Sequence, residues 1–396
     1  DPNLVSRFGL LTNNSDVSLY LNHLFFYSKN FYSYLDAKVV SDVYAFDNFS
    51  GIPKGVKRFG FEGGDVNQSG IGFRNDFFMA QYGRGKQNWG AGDNIELALS
   101  NDSFSYDHFV FELRKNIFKY RYFHGFLENI DKENRYLLGK GIEYSNHKNL
   151  RLAFAEIVIY SGENRPLDLN YLNPISSHLE IETNARGNKP GNDLGNAVWN
   201  VSFDYKINHN MRLMSNFLID ELTIDKIERD QGKTNGLATS SKIIYRPNVN
   251  GSIYYSLSYV TVGTKTFRHK NLRGNGYYNF VHSNSPLGWS HGSDTQMFSI
   301  EFNQNIGNKI LNRLEISYFQ VGDESITSNG YEPYEDYLKS SFPSGSVEKF
   351  ANLIGEVDYY IKHNISIKMF SKFTINKNKL SYNYNLMIDY FFDSNI

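Results

Sequence analysis

The sequence predicts a transmembrane antiparallel β-barrel of 16 or 18 strands, with long extracellular loops and short periplasmic turns. Three features lead there: aromatic content, period-two alternation over long segments, and unequal connections. Aromatic residues make up 16% of the 396 residues, nearly all Tyr (29) and Phe (31), against 9 Pro. The mean hydropathy is nonetheless −0.48. In a lipid-facing barrel only every second residue is apolar and aromatic girdles mark both interfaces, so the two values agree. A large soluble sandwich or propeller shares this composition. Alternation and connection length separate the two.

In chain order, residues 1–15 read as an N-terminal periplasmic segment. Strands follow at 16–28, 30–46 and 69–82, with 94–101 a further candidate. Alternation is then regular over 105–114, 117–127, 138–146, 150–160, 197–207, 211–222, 237–246 and 251–262. It continues over 295–306, 309–321, 350–362, 365–375 and 380–392. One such run sets Trp199, Val201, Phe203, Tyr205 and Ile207 against Asn200, Ser202, Asp204 and Lys206. Another sets Tyr382, Tyr384, Leu386, Ile388 and Tyr390 against Ser381, Asn383, Asn385 and Asp389. A tilted strand crosses a bilayer in roughly 9–11 residues, whereas strands of soluble proteins are nearer about 5–6. Length favours the membrane.

The connections agree. Tight turns fall at Lys115-Asn116, Asn146–Asn149, Asn208–Asn210, Pro247–Gly251, Gly307-Asn308 and His363-Asn364, where Asn and Gly tolerate left-handed backbone. Between them run long segments at 161–196, 223–236, 263–294 and 322–349. Long loops at one end and short turns at the other are the asymmetry of an outer-membrane barrel. An even strand number follows if both termini lie on one side. No linker, low-complexity tract or repeat divides residues 1–396, which read as one domain. The chain continues past Phe391-Phe392 as Asp393-Ser394-Asn395-Ile396, whereas many such barrels end on an aromatic residue.

Other classes are excluded by composition. The 41 basic and 42 acidic side chains give a net charge of −1, which argues against nucleic acid as a partner. There is no cysteine, so disulfides, thiolate metal sites and cysteine nucleophiles are out. The longest apolar run, Leu152–Tyr160, is broken by Glu156 and is too short for a membrane helix. The start lacks the features of a secretion signal, so any leader is expected to have been removed.

Chemistry is sparse. Gly83–Gly92 is glycine-rich around Arg84 and Lys86, but Gln87 stands where a phosphate loop needs Ser or Thr. A bend inside or at the rim of the barrel, with its cations paired to lumen acids, explains it more simply. The histidines form no metal-ligand spacing, and no nucleophile elbow occurs. His282-Ser283-Asn284-Ser285 sets a base beside hydroxyls, yet neighbours in an extended chain face opposite ways, so no enzyme is expected. Neither a metal nor a cofactor is called for. Residues 263–282 mix Lys265, Arg268, His269, Lys270 and Arg273 with Tyr277, Tyr278 and Phe280. Residues 323–337 mix Asp323, Glu324, Glu332, Glu335 and Asp336 with Tyr331, Tyr334 and Tyr337. Such loops suit sugar rings or a partner protein, or they pair with each other and close the mouth.

Three segments resemble the Wzi-type capsule-assembly proteins, outer-membrane barrels that hold surface polysaccharide. The first is Gly83–Gly92, around Trp89, followed by Leu99-Ser-Asn-Asp102. The second is Glu156-Ile-Val-Ile-Tyr160 with Leu169-Asn-Tyr-Leu-Asn-Pro174. The third is Asn279-Phe-Val-His282 with Ser285-Pro-Leu-Gly-Trp289 and Gly292-Ser-Asp294. They lie in the family's order over about residues 80–300, with Ala91 where the family often has proline and no room for a full N-terminal helical plug. The resemblance implies a non-enzymatic barrel that binds or anchors capsular or exopolysaccharide. An accessory subunit of a larger outer-membrane assembly is the alternative, and a porin a third, disfavoured by the charged lumen. An acidic glycan needs cations and stacking faces. The candidates are therefore Arg84, Lys86 and Trp89 in the glycine-rich segment, with Arg268, Arg273, Tyr277 and His282 in the 263–294 loop. Membrane lipid, surface polysaccharide and other outer-membrane proteins are the expected partners.

Overall fold

Alternation by two makes one face of each strand apolar, and the only way to place eighteen such faces in lipid is to close the sheet. The computed structural model describes residues 2–46, 49–188, 195–230, 232–269, 277–307, 309–333, 341–377 and 379–394. Its wall runs β1 (Asn3–Asn13), β2 (Asp16–Phe26), β3 (Phe31–Val40), β4 (Gly63–Arg74), β5 (Phe78–Gly85), β6 (Tyr106–Lys115), β7 (Phe118–Ile130), β8 (Glu133–Ser145) and β9 (Leu150–Glu163). It continues through β10 (Asn196–Lys206), β11 (Met211–Glu221), β12 (Gly236–Tyr245) and β13 (Ile253–Val262). After a two-residue hairpin, β14 (Val281–His282) and β15 (Ser285–Pro286), come β16 (Thr295–Ile306), β17 (Ile310–Val321), β18 (Glu348–Lys362), β19 (Ile365–Asn376) and β20 (Lys379–Asp393). Every wall strand pairs antiparallel with its neighbours, and β1 pairs with β20, so the 18-stranded sheet is closed and has no edge.

The parity predicted from the sequence is the observed one. Asn200, Ser202 and Asp204 are buried toward the lumen, while Val201 and Tyr205 are exposed outside. The outward band carries Leu257, Ile300, Ile316 and Met369 between two aromatic rims. Phe31, Phe118, Tyr245 and Tyr255 ring the short-turn end, and Tyr82, Tyr259, Phe298, Tyr318 and Tyr382 the other. Connections at 27–30, 116–117, 207–210 and 363–364 close one end, and those at 41–62, 86–105, 164–195, 263–294 and 322–347 crowd the opposite end. The turn residue Asn308 lies outside the described residues.

Three expectations are corrected. Residues 1–15 are no periplasmic segment: β1 spans Asn3–Asn13 and closes the barrel through Phe8↔Tyr390 and neighbouring pairs. Residues 69–82 are not one strand but the β4–β5 hairpin, whose turn is set by Asn75 Oδ1 accepting the Phe77 and Phe78 amides at 2.9 and 2.7 Å. Residues 94–101 do not join the wall; they lie in the lumen.

The lumen wall carries its charges in alternation. Arg313 on β17 meets Glu301 on β16 at 3.0 Å and Glu356 on β18 at 3.7 Å. Lys119 meets Glu143 at 3.0 Å, and Arg151 meets Asp204 at 3.5 Å. Opposite charges on neighbouring strands thus compensate one another within the wall.

Candidate functional site

Two of the long connections turn inward and fold against each other. In residues 86–105, Trp89 and Leu99 pair as an isolated bridge, with the Trp89 amide donating to the Leu99 carbonyl at 3.1 Å. Ile95, Leu97, Ala98 and Leu99 are buried there, in one cluster with lumen-facing Phe123, Leu137, Val198 and Leu218. The wall holds this turn through its own side chains. Asn216 on β11 accepts from the Ala91 amide at 2.7 Å and donates to the Ala91 and Ile95 carbonyls at 2.8 and 3.1 Å. Ser240 on β12 donates to the same Ile95 carbonyl at 2.6 Å.

The second segment, 277–289, pairs with the first. The Trp289 amide donates to Leu97, the Ser100 amide to Leu287, and Ser100 Oγ to Gly288 at 2.6 Å. The approach is close enough that a Cβ on Gly288 would stand 1.8 Å from the Leu97 carbonyl oxygen, which requires glycine. Arg135, fully buried on β8, donates to the carbonyls of Tyr277, Asn279 and Val281 at 2.7, 2.6 and 2.9 Å, and pairs with Glu128. The two segments form a plug along β6–β13, and under Trp89 it leaves a cavity of about 180 Å³ that Lys119, Arg121, Arg151 and Asn200 line.

The predicted ligand residues fall into this architecture unevenly. Trp89 is buried, with the Arg121 guanidinium 4.6 Å from its ring centre and the Phe123 ring edge-on. Arg268 is buried and donates to the Glu332 and Glu324 carbonyls at 2.7 and 3.0 Å, so it ties the 263–294 connection to the 322–347 one. Burial pushes its guanidinium pKa below the usual value. Tyr277 is buried with its hydroxyl 3.5 Å from Asp131, and His282 is buried with Nε2 3.3 Å from the Ser105 carbonyl and Nδ1 3.5 Å from Glu128. These four are buried among the inward segments and their braces and do not face open solvent, with Trp89 Nε1 and Arg268 Nε buried without a hydrogen-bond partner among the described residues. Arg273 lies outside the described residues, as do Lys270, Tyr334, Glu335, Asp336 and Tyr337.

Arg84 and Lys86 remain partly exposed. Arg84 donates to the Val66 carbonyl at 3.1 Å and to Ser50 Oγ at 3.5 Å, and lies 4.0 Å from Asp107. Lys86 donates to the Asn101 carbonyl at 2.9 Å. Arg84 thereby props the base of a hairpin that sequence reading missed. The Glu62 amide donates to Val40, and Arg58 and Phe61 pair with each other, so the β3–β4 connection extends beyond the wall. Phe59 at its tip is 102% exposed and holds a left-handed φ of 52°, followed by Gly60 at 86°. Lys54, Lys57 and Arg58 around it are exposed and make no ion pair among the described residues. The signal was there as Lys-Gly-Val-Lys-Arg-Phe-Gly at 54–60, basic residues interleaved with an aromatic and glycines.

Comparison with known proteins adds the fold. No protein-family model and no curated protein matches the sequence. Among solved structures, the chain is similar to Wzi of Escherichia coli, an outer membrane protein involved in group 1 capsule assembly and described as a carbohydrate-binding β-barrel. The TM-score is 0.67 at 11% identity, covering 98% of this chain and 83% of that one. It is also similar to OprD of Pseudomonas aeruginosa, with a TM-score of 0.55 at 10% identity over 99% and 95% of the two chains. OpdK of Pseudomonas aeruginosa, solved with vanillate, gives 0.56 at 9% identity over 99% and 98%. At these identities the likeness is one of fold, that of outer-membrane barrels.

Proposed function

We propose that the chain is a non-enzymatic barrel of a Gram-negative outer membrane, with its long connections outward, that binds or anchors acidic surface polysaccharide. The observation that carries this reading is the plug. Two inward segments cross-bonded to each other and pinned by Asn216, Ser240 and Arg135 fill the β6–β13 side of the lumen and narrow the path that a diffusion porin needs open. What remains for function is the long-loop surface. There the 54–60 tip offers three exposed cations, without an ion pair among the described residues, beside a solvent-facing aromatic ring, with Arg84 at its base, the combination that meets glycan carboxylates and stacks on sugar faces. The greater similarity to Wzi than to the OprD-type barrels supports the same reading.

The test uses cells that carry a charged capsule. Lys54→Gln, Lys57→Gln and Arg58→Gln together should reduce polysaccharide retention while barrel amount and heat-modifiable mobility stay at wild-type levels. Unchanged retention would remove the tip from the binding surface. Stoichiometric co-purification of a protein partner in place of polysaccharide would favour an accessory subunit of a larger assembly.

A further inference from the structure

One long connection does not stay above the barrel. In β7–β9 the residues Ile142, Leu152 and Phe154 are exposed and mark the outward face, whereas Gly141 touches the lumen plug at Trp89. By parity Tyr122, Tyr136, Leu138, Lys140, Glu156, Val158 and Tyr160 also point outward. Most of these are nonetheless buried, because residues 164–188 fold back over them along the outside of the wall. The covering segment carries two short helices, α1 (Leu169–Leu172) and α2 (His178–Thr183). Its inner side is Tyr171, His178 and Ile181, with Tyr171 stacked on Tyr160 at 4.5 Å and on His178 at 5.9 Å.

The contacts reach far down. Tyr122 donates to the Tyr171 carbonyl at 2.9 Å, Tyr120 to Pro174, and Lys140 to Ser176. Lys140 also pairs with Glu156 at 2.9 Å, and Glu156 accepts from the His178 amide and from the Trp199 indole at 3.2 Å each. Lys140 stands five positions (145 − 140) before Ser145, the last residue of β8. At about 3.4 Å per residue and a tilt near 40°, it lies about 13 Å above the short-turn end, the middle of an apolar band about 25 Å tall. A bare ion pair at that depth would face hydrocarbon. Here it is roofed.

The roof's outer side completes the picture. Leu167, Leu169, Ile175 and Leu179 are exposed, Ile175 at 86%, while the segment's charges pair internally: Arg165 with Asp168 at 3.1 Å and Arg186 with Glu180. We infer that residues 164–188 form an intramembrane flap whose outer face is solvated by the acyl chains of the bilayer. The flap shields the Lys140–Glu156 pair and replaces the apolar surface which that stretch of wall lacks. The occupant is lipid because the depth of Pro174–Ser176 is fixed by their partners on the wall, and because Ile175, the exposed side chain of that stretch, is aliphatic, while the exposed Glu180 and Arg186 of the outer side pair with each other.

The chain has no cysteine, so single cysteines report directly. Ile175→Cys, with Leu169→Cys as a second position, would be compared in proteoliposomes with Leu257→Cys on the bare outer wall and Lys54→Cys on the exposed hairpin. A membrane-impermeant maleimide should react with the flap cysteines as slowly as with Leu257→Cys. A bimane attached in detergent should then be quenched after reconstitution into lipids brominated at mid-chain. Reaction as fast as at Lys54→Cys would overturn the proposal by placing the flap in water. Slow reaction without bromolipid quenching would overturn it by showing a protein cover. Normal heat-modifiable mobility certifies each variant as folded.

Discussion

A single guanidinium decides where the second half of the plug lies. Arg135, itself fully buried, directs its donors at three carbonyls of residues 277–281 and at the largely buried Glu128. Arg135→Met would leave those carbonyls without their donor and Glu128 with only Tyr331, Ser283 and His282 as partners, a loss of up to about 3–5 kcal/mol when one partner of a buried pair is removed. Arg135→Lys restores charge but not the fork, so it should recover only part. Limited proteolysis within 277–289 is the readout: both variants should be cut faster than wild type, Met the faster of the two. The same residue scale shows why site reading from sequence went astray. Arg268 and Tyr277 among aromatics carry the composition of a ligand surface and equally that of a cross-braced loop. Only the path of the chain, which buries Arg268 against the Glu332 and Glu324 carbonyls, tells them apart. The resemblance motifs behave alike. Asp294 accepts from Thr264 and from the Ser344 amide at 2.8 and 2.9 Å, and Glu156 holds the flap, so both serve to position connections.

Strands were legible wherever one face had to be apolar throughout. From β6 onward the observed bounds lie within a few residues of those read from alternation, apart from the starts of β8 and the ends of the longest strands. Upstream the rule weakens for a physical reason. In β4, Gly63, Gly64, Gly70 and Gly72 replace the side chains that would show alternation, partly to admit Tyr32 and Tyr34: a Cβ on Gly72 would stand 2.3 Å from the Tyr32 ring. β1 mixes Arg7 and Gly9 into its run, since its inward face carries Arg7 toward Asp389 of β20. Alternation also makes a quantitative statement about β20. Asp389 is buried in the lumen whereas Tyr384 and Ile388 are exposed, which places Leu386 outside and Asn385 inside. Leu386→Arg should cost roughly 2–4 kcal/mol near the midplane, Ile367→Arg, two positions from the start of β19, should cost less, and Asn385→Arg far less than Leu386→Arg. Denaturant unfolding in detergent or lipid, followed by heat-modifiable mobility, gives that ranking. Equal costs at 385 and 386 would contradict the assigned faces.

At the scale of the whole barrel, closure of the sheet and obstruction of its interior are separate properties, so they are separable by mutation. The eighteen strands are complete without residues 86–105 and 277–289, which contribute no wall hydrogen bonds to the closed ladder. The two inward segments are hydrogen-bonded to each other around the contact of Gly288 with Leu97, where no side chain fits. Gly288→Leu would force these backbones apart, and overpacking of this kind costs typically about 1–3 kcal/mol, less than a barrel's lipid-facing wall supplies. The expected variant therefore inserts and shows wild-type heat-modifiable mobility but conducts ions in a planar bilayer, where the parent protein stays closed or nearly so. Gly64→Ala, whose Cβ would meet Val39 only at an ordinary 3.5 Å, is the control for a glycine change without steric conflict and should leave conductance unaltered. A Gly288→Leu barrel that is folded and still non-conducting would mean that the long connections above the plug close the mouth by themselves. A parent barrel that conducts freely would reopen the porin reading.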